Sequence, residues 1–266
     1  MDNDDIPKGR ILTRREALYL FGGAGLTTIL ASCGGGGTGI TTPTASPTTS
    51  GTATPTTSGT ASPTATPISN STCIVRPELT EGPYFVDEKL LRSDIRSDSN
   101  SGTVQGGVPL NLTFNISQLV GSACSFLSGA TVDIWHANAL GKYSDISSEG
   151  TSGQNFLRGY QLTSSSGVAK FTTIFPGWYQ GRAVHIHFKL RATVSGRSYE
   201  FTTQFFFNDS LTTSIYAASP YNTRGTRSTF NSNDGIYSQS GGQTVIALTG
   251  SNSAGYSGSF SLALDV

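Results

Sequence analysis

Pro176-Gly-Trp-Tyr-Gln-Gly-Arg-Ala-Val-His-Ile-His-Phe-Lys-Leu190 reads as a turn that runs into a β-strand. Pro176-Gly177 marks the turn, and Val184 to Leu190 is rich in strand formers. On a strand, residues two apart point to the same face, so His185 and His187 project side by side. Two adjacent imidazoles form a natural metal chelate. The plain alternative is a polar outward face, which any surface strand can carry. The chain has 3 histidines, so placing two of them here concentrates its imidazole chemistry.

Working outward, short strand-like runs alternate with turns rich in Gly, Ser, Asn and Asp. Expected strands are Leu110–Ile116, Gly129–Trp135, Gly167–Ile174, Val184–Leu190, Glu200–Phe207, Thr244–Leu248 and Gly258–Leu264. No long stretch with a 3.6-residue apolar period lies between them. Residues 73–266 therefore read as one all-β domain, a single β-sandwich with one core. Upstream of the histidines, Ala130-Thr-Val-Asp-Ile-Trp-His-Ala-Asn-Ala-Leu-Gly-Lys-Tyr143 is a strand, a glycine turn and a tyrosine at the turn's exit. The chain has 10 tyrosines, so Tyr143 and Tyr179 on their own could be packing aromatics.

Together these stretches resemble the intradiol ring-cleavage dioxygenases. Val132 to Asp145 is similar to that family's first iron-tyrosine motif. Phe156-Leu-Arg-Gly159, Phe171-Thr-Thr-Ile-Phe-Pro-Gly-Trp-Tyr179 and Gly181-Arg-Ala-Val-His-Ile-His187 resemble the second. Thr80-Glu-Gly-Pro-Tyr-Phe-Val-Asp87, Arg92-Ser-Asp-Ile-Arg96 and Thr202-Thr-Gln-Phe-Phe-Phe207 resemble further segments, in order from about Cys73 to the C-terminus.

The resemblance implies a β-sandwich of the intradiol type and one mononuclear non-haem Fe(III). Its implied ligands are Tyr143, Tyr179, His185 and His187. Phenolate is a hard anionic donor suited to a trivalent ion, and a cation is what ionises a phenol of pKa about 10 at neutral pH. Two histidines with one carboxylate would instead suit Fe(II). The implied reaction takes a catechol-type diol and O2, inserts oxygen between the two hydroxylated carbons and gives a cis,cis-muconate-type diacid. Tyr179 is the implied axial ligand that takes one substrate proton. Arg182 stabilises the anionic ring, and Gln204 orients the group bound beside the histidines. Thr80, Gly82, Pro83 and Tyr84 resemble the lining of the substrate mouth, and Trp178 shapes its wall. His136 matches no ligand position and reads as structural or supporting. Catechol-type members carry a helical dimerisation region where this chain has a linker, so its assembly state stays open. Two other readings remain: a surface-anchored β-sandwich binding module, and a metal-binding protein without turnover. Catechol consumption with oxygen uptake separates the enzyme from both.

The N-terminal part sets location. Thr13-Arg-Arg-Glu-Ala-Leu18 is a twin-arginine signal pattern, followed by an apolar stretch from Ala17 to Ala31. That stretch is short for a membrane span and suits a signal core. Leu30-Ala-Ser-Cys33 looks like a bacterial lipobox, which would leave Cys33 as a lipidated first residue; a cleaved signal or a weak anchor helix are the alternatives. Residues 1–33 are thus expected to export the chain as a lipoprotein on the outer face of the bacterial cytoplasmic membrane or on the cell surface. Residues 34–72 are almost all Gly, Thr, Ser, Pro and Ala, a composition that buries no core and is expected to be a disordered tether. Of the 3 cysteines, Cys73 and Cys124 remain after Cys33, and outside the cytosol such a pair suggests a disulfide rather than two buried thiols. It would pin the start of the domain near the Asn111–Ser117 strand. Lys plus Arg and Asp plus Glu number 17 each, so no basic excess points to nucleic acid.

Overall fold

The computed structural model describes residues 73–266; the expected signal segment, Cys33 and the expected tether lie outside the described residues. Alternation builds the first strand, β1 (Pro109–Val120). Leu110, Leu112, Phe114 and Ile116 are buried, while the residues between them are more exposed. β1 is the spine of one sheet. It pairs antiparallel with β2 (Ala123–Phe126) and β5 (Val168–Ile174), and parallel with β9 (Gly255–Asp265), which carries β8 (Leu248–Ser251) on its far edge. The second sheet has the order β4 (Arg158–Leu162), β3 (Thr131–Trp135), β6 (His185–Val194), β7 (Arg197–Phe206), all antiparallel. A tight turn at Ser195-Gly196, both with positive φ, joins β6 to β7, as a two-residue hairpin requires.

The two sheets meet through aromatic side chains. Phe114 of β1 stacks on Phe205 of β7 at 5.3 Å and tilts against Phe188 of β6 at 5.1 Å. Phe260 of β9 closes on Phe205 at 4.2 Å. The fold is the all-β sandwich that the alternation predicts. Strand β6 is buried on both faces: Ile186, Phe188 and Leu190 enter the core, while His185, His187 and Lys189 face outward under covering loops. His185 and His187 therefore lie outside the sandwich core but away from water.

Several details differ from the sequence reading. Thr244–Leu248 is not a strand; β8 starts only at Leu248. The preceding residues finish β7 instead, with Phe206 N donating to Thr244 O and Ile246 N to Phe206 O. β2 and β4 form where no strand is expected, and two short helices appear, α1 (Asp209–Tyr216) and α2 (Gly235–Ser240). The Asn208 side chain accepts from Leu211 N to cap α1, and Asp234 accepts from Ile236 N and Tyr237 N to cap α2.

Cys73 and Cys124 form a disulfide, with their Cα atoms 5.8 Å apart. It fastens the start of the domain to β2, and Cys73 Sγ lies 3.7 Å from Ser117 Oγ of β1. The closed loop has a sequence separation of 51, for which chain entropy gives about 4 kcal/mol of stabilisation. Cys73→Ser with Cys124→Ser is therefore expected to lower the unfolding free energy by up to about that amount in denaturant titrations. An unchanged midpoint would show that residues 73–124 are held by packing alone.

Candidate metal centre

Register places the first pieces. Trp135 of β3, His187 of β6 and Gln204 of β7 stand side by side across the outer face of the second sheet. The indole of Trp135 stacks on the His187 ring at 4.9 Å and 8°. Two loops bring the tyrosines: the one after β3 carries Tyr143, and the one before β6 carries Tyr179.

These loops interlock backbone to backbone, and glycine is what allows it. Gly177 N donates to Asn138 O at 3.0 Å, and a Cβ at Gly177 would lie only 2.5 Å from Ala139 O. Gly141 has φ +73°, and a Cβ there would run into Trp178 O. The Asn138 side chain folds the first loop by accepting from Leu140 N and Lys142 N, both at 3.0 Å. Two phenols steady the second loop: Tyr221 donates to Phe175 O at 2.7 Å and Tyr216 to Pro176 O at 2.8 Å.

Four polar atoms converge as a result. His185 Nε2 is 3.0 Å from His187 Nε2, 3.2 Å from Tyr179 Oη and 3.5 Å from Tyr143 Oη. His187 Nε2 is 3.0 Å from Tyr143 Oη. His185 Nδ1 lies 2.6 Å from Ala183 O, a bond it makes by donating, so its Nε2 presents a lone pair to the cluster. Burial, then the Arg182 charge, pushes the His185 pKa down to about 3. Burial and the neighbouring His185 push His187 well below its ordinary value. Both imidazoles are therefore neutral donors at pH 7. Burial raises the Tyr143 phenol above its ordinary value, so it ionises only with a cation beside it.

The residues fit a hard metal ion. The ring of His187 is fully buried and its Nε2 faces both His185 Nε2 and Tyr143 Oη at 3.0 Å. Two imidazole nitrogens 3.0 Å apart, one of them fixed as a lone pair, together with two phenol oxygens make a compact donor set of the kind a hard cation takes. Among the described residues no three His, Cys, Asp or Glu side chains gather as a metal site, so half of this donor set is phenolic.

Charged groups surround the donors. Arg182, 7% exposed, donates from Nε to Asp234 Oδ2 at 2.9 Å and from Nη2 to Gln204 Oε1 at 2.6 Å. Burial lowers the pKa of His185 and His187 and the Arg182 cation lowers both further, while for Tyr143 it partly offsets the rise that burial imposes. Burial pushes the Asp234 carboxyl up, but Arg182 and the donated hydrogen bonds prevail and hold it below the carboxylate range. Gln204 Nε2 donates to Thr80 O at 2.9 Å, so the same side chain reaches the covering strap of residues 80–91. Gly82 N donates to Thr80 Oγ1 and, with φ 72°, turns the strap toward Pro83 and Tyr84. Glu81 pairs with Lys189, and Tyr84 stacks on Tyr143 at 4.4 Å with its ring edge-on to Tyr179.

Trp178 is not brought to the cluster. Its indole packs on the main core and lies under the guanidinium of Arg224 at 5.0 Å, so it braces the loop rather than facing the four donors. Tyr179, the next residue, is the one that reaches the cluster, with Oη 3.2 Å from His185 Nε2. His136 is buried with Nε2 2.7 Å from Thr173 Oγ1 and Nδ1 2.8 Å from Ala137 O, a structural placement.

Sequence reading passed over three residues here. Trp135 packs on His187, and Asp234 binds Arg182. Arg158 donates from Nε to Ser144 Oγ, from Nη2 to Ser144 O and from Nη1 to Tyr84 O, tying the Tyr143 loop to the strap. Arg158 lies within Phe156-Leu-Arg-Gly159, where a role could have been sought. Asp234 before Gly-Ile-Tyr signals only a helix cap.

Comparison with known proteins follows the same lines. Residues 80–232 match the sequence model of a family described as Dioxygenase. Among solved structures the chain is similar to an intradiol ring-cleavage dioxygenase from Tetranychus urticae, with 32% identity over 73% of this chain and 95% of that one, at a TM-score of 0.63. It is also similar to the dioxygenase domain of a dioxygenase carbohydrate-binding protein fusion from Streptomyces sp. SirexAA-E, with 27% identity over 73% of this chain and 99% of that one, at a TM-score of 0.52. A curated relative, catechol 1,2-dioxygenase 1 of Acinetobacter lwoffii, is 27% identical over 152 residues, 48% of this chain and 45% of that protein. The chain thus spans less than half the length of that curated relative.

Proposed function

The chain belongs to the intradiol ring-cleavage dioxygenases, and from that premise we propose that it opens a catechol-type ring between the two hydroxylated carbons. The reaction would consume O2 and give a cis,cis-muconate-type diacid, with one Fe(III) held by Tyr143, Tyr179, His185 and His187. The observation that carries this reading is the convergence of two imidazole nitrogens and two phenol oxygens, linked by four contacts of 3.0–3.5 Å and built from three separate segments. When bound, a ferric ion would supply Lewis-acid chemistry that makes the diol ring reactive toward O2.

The chain's own residues do the rest. Tyr143 is 1% exposed and fixed, whereas Tyr179 is only partly buried. Tyr179 is therefore the phenol with room to move and to take a proton from an arriving diol. Arg182 places a cation beside the donors, where it favours the anionic form of the bound diol and the charge that develops on the opening ring. Gln204, held between Arg182 and Thr80, presents a fixed amide beside His187. Gly82, Pro83 and Tyr84 line the approach from the strap, and the ring of Tyr84 limits water at the donors. Thr80 takes part through its carbonyl. The signal pattern and Cys33 support an exported, lipid-anchored protein that meets small aromatic diols outside the cytoplasm.

Oxygen uptake by the iron-loaded chain with catechol tests this reading. Arg182→Ala is expected to lower kcat by about 100-fold with iron still bound, as for loss of one preorganised charge-stabilising donor. An iron-loaded parent that consumes neither catechol nor O2 would reject the enzyme and favour the binding module.

A further inference from the structure

Asp234 lies past the segment matched by the family, residues 80–232, and is 2% exposed. Its two carboxylate oxygens divide their work. Oδ1 accepts from Ile236 N and Tyr237 N, each at 2.8 Å, and caps α2. Oδ2 faces the metal centre and accepts from Arg182 Nε at 2.9 Å and Ala183 N at 2.6 Å.

Both of those donors lead onward. The Ala183 carbonyl receives the Nδ1 proton of His185, which leaves His185 Nε2 as a lone pair. Arg182 Nη2 reaches Gln204 Oε1, and Gln204 Nε2 reaches the strap at Thr80 O. One buried carboxylate thus joins an imidazole, the guanidinium and the covering strap. A long, rotamer-rich arginine is held in one orientation only when its fork is bonded at more than one point, and Asp234 and Gln204 supply two such points. Helix capping needs only one oxygen, so Oδ2 is not explained by the cap.

We infer that Asp234 is a positioning residue: it sets the guanidinium of Arg182 against the donor cluster and fixes the Arg182–Ala183 backbone to whose carbonyl His185 donates its Nδ1 proton. This rests on the dioxygenase reading above. It differs from that reading in assigning the control of Arg182 to a residue on a separate helix, 52 positions along the chain.

Asp234→Ser in the full chain is the test, because serine still caps a helix but brings no second oxygen to Arg182. The expected result is a kcat about 100-fold lower with KM moving much less. Iron affinity should fall about 10-fold, the loss typical of groups that support a metal ligand. In an Arg182→Ala background the same substitution should cost little further kcat, since contacting residues in one network are not additive. Iron affinity and kcat equal to the parent's, or effects that simply multiply in the double variant, would reduce Asp234 to a helix cap. If the serine variant does not fold, Asp234→Asn is carried through the same cycle. An iron-loaded parent without oxygen uptake would overturn the dioxygenase reading, and iron titration of the Asp234 variants would then decide this assignment alone.

Discussion

Replacing His187 with alanine is expected to abolish stoichiometric iron binding and, with it, all catechol-dependent oxygen uptake. His187 is fully buried, and its Nε2 lies 3.0 Å from both His185 Nε2 and Tyr143 Oη. Removing it takes away one of two neutral nitrogen donors and the face on which Trp135 stacks. Groups one step removed from a metal typically change affinity 10- to 100-fold, so a direct donor should cost more than about 100-fold. Tyr179→Phe is a gentler companion, because it deletes one oxygen and leaves the packing nearly intact. It should change the colour of the iron form and weaken loading. Iron titration followed in the visible range checks both, and full loading with unchanged colour in either variant would remove that residue from the ligand set.

Gly177→Ala is expected to have an effect out of proportion to one methyl group. The added Cβ would meet backbone oxygens of Asn138 and Ala139, which cannot rotate away. Overpacking of this kind costs about 1–3 kcal/mol, and relief requires the two loops to separate. Those loops carry Tyr143 and Tyr179, so the donor cluster should open and iron loading should fall together with stability. Gly106→Ala is the control, since nothing lies within 4 Å of a Cβ there. Denaturant titration and iron titration of both variants measure the effect. A Gly177→Ala chain that matches Gly106→Ala would show that the interlock does not hold the tyrosines together.

How far the sequence revealed this arrangement depends on the range of each interaction. The alternation in Leu110 to Ile116 and the paired histidines of β6 are local patterns with period two, so strand, face and sandwich could all be read. The cysteine pair was legible because only two remained after Cys33. Thr244–Leu248 misled because its apolar residues finish β7 through a few backbone bonds, a role that no periodicity announces. Trp178 and Tyr179 look equivalent on paper, and only the course of the loop decides that the tyrosine turns inward and the tryptophan braces Arg224. Asp234 was invisible as a site residue because its meaning lies in Arg182, far away in sequence and adjacent only once α2 has packed. Arg158 shows the middle case: the motif stood out, but its backbone partners Ser144 and Tyr84 come from two other loops.

The most direct test of the proposed iron-tyrosinate centre is a visible absorption spectrum of the iron-loaded protein, before and after anaerobic addition of catechol. Ligation by Tyr143 and Tyr179 predicts a broad tyrosinate-to-iron charge-transfer band that shifts when the diol binds. A colourless protein that takes up no iron would contradict the ligand set and the dioxygenase chemistry built on it.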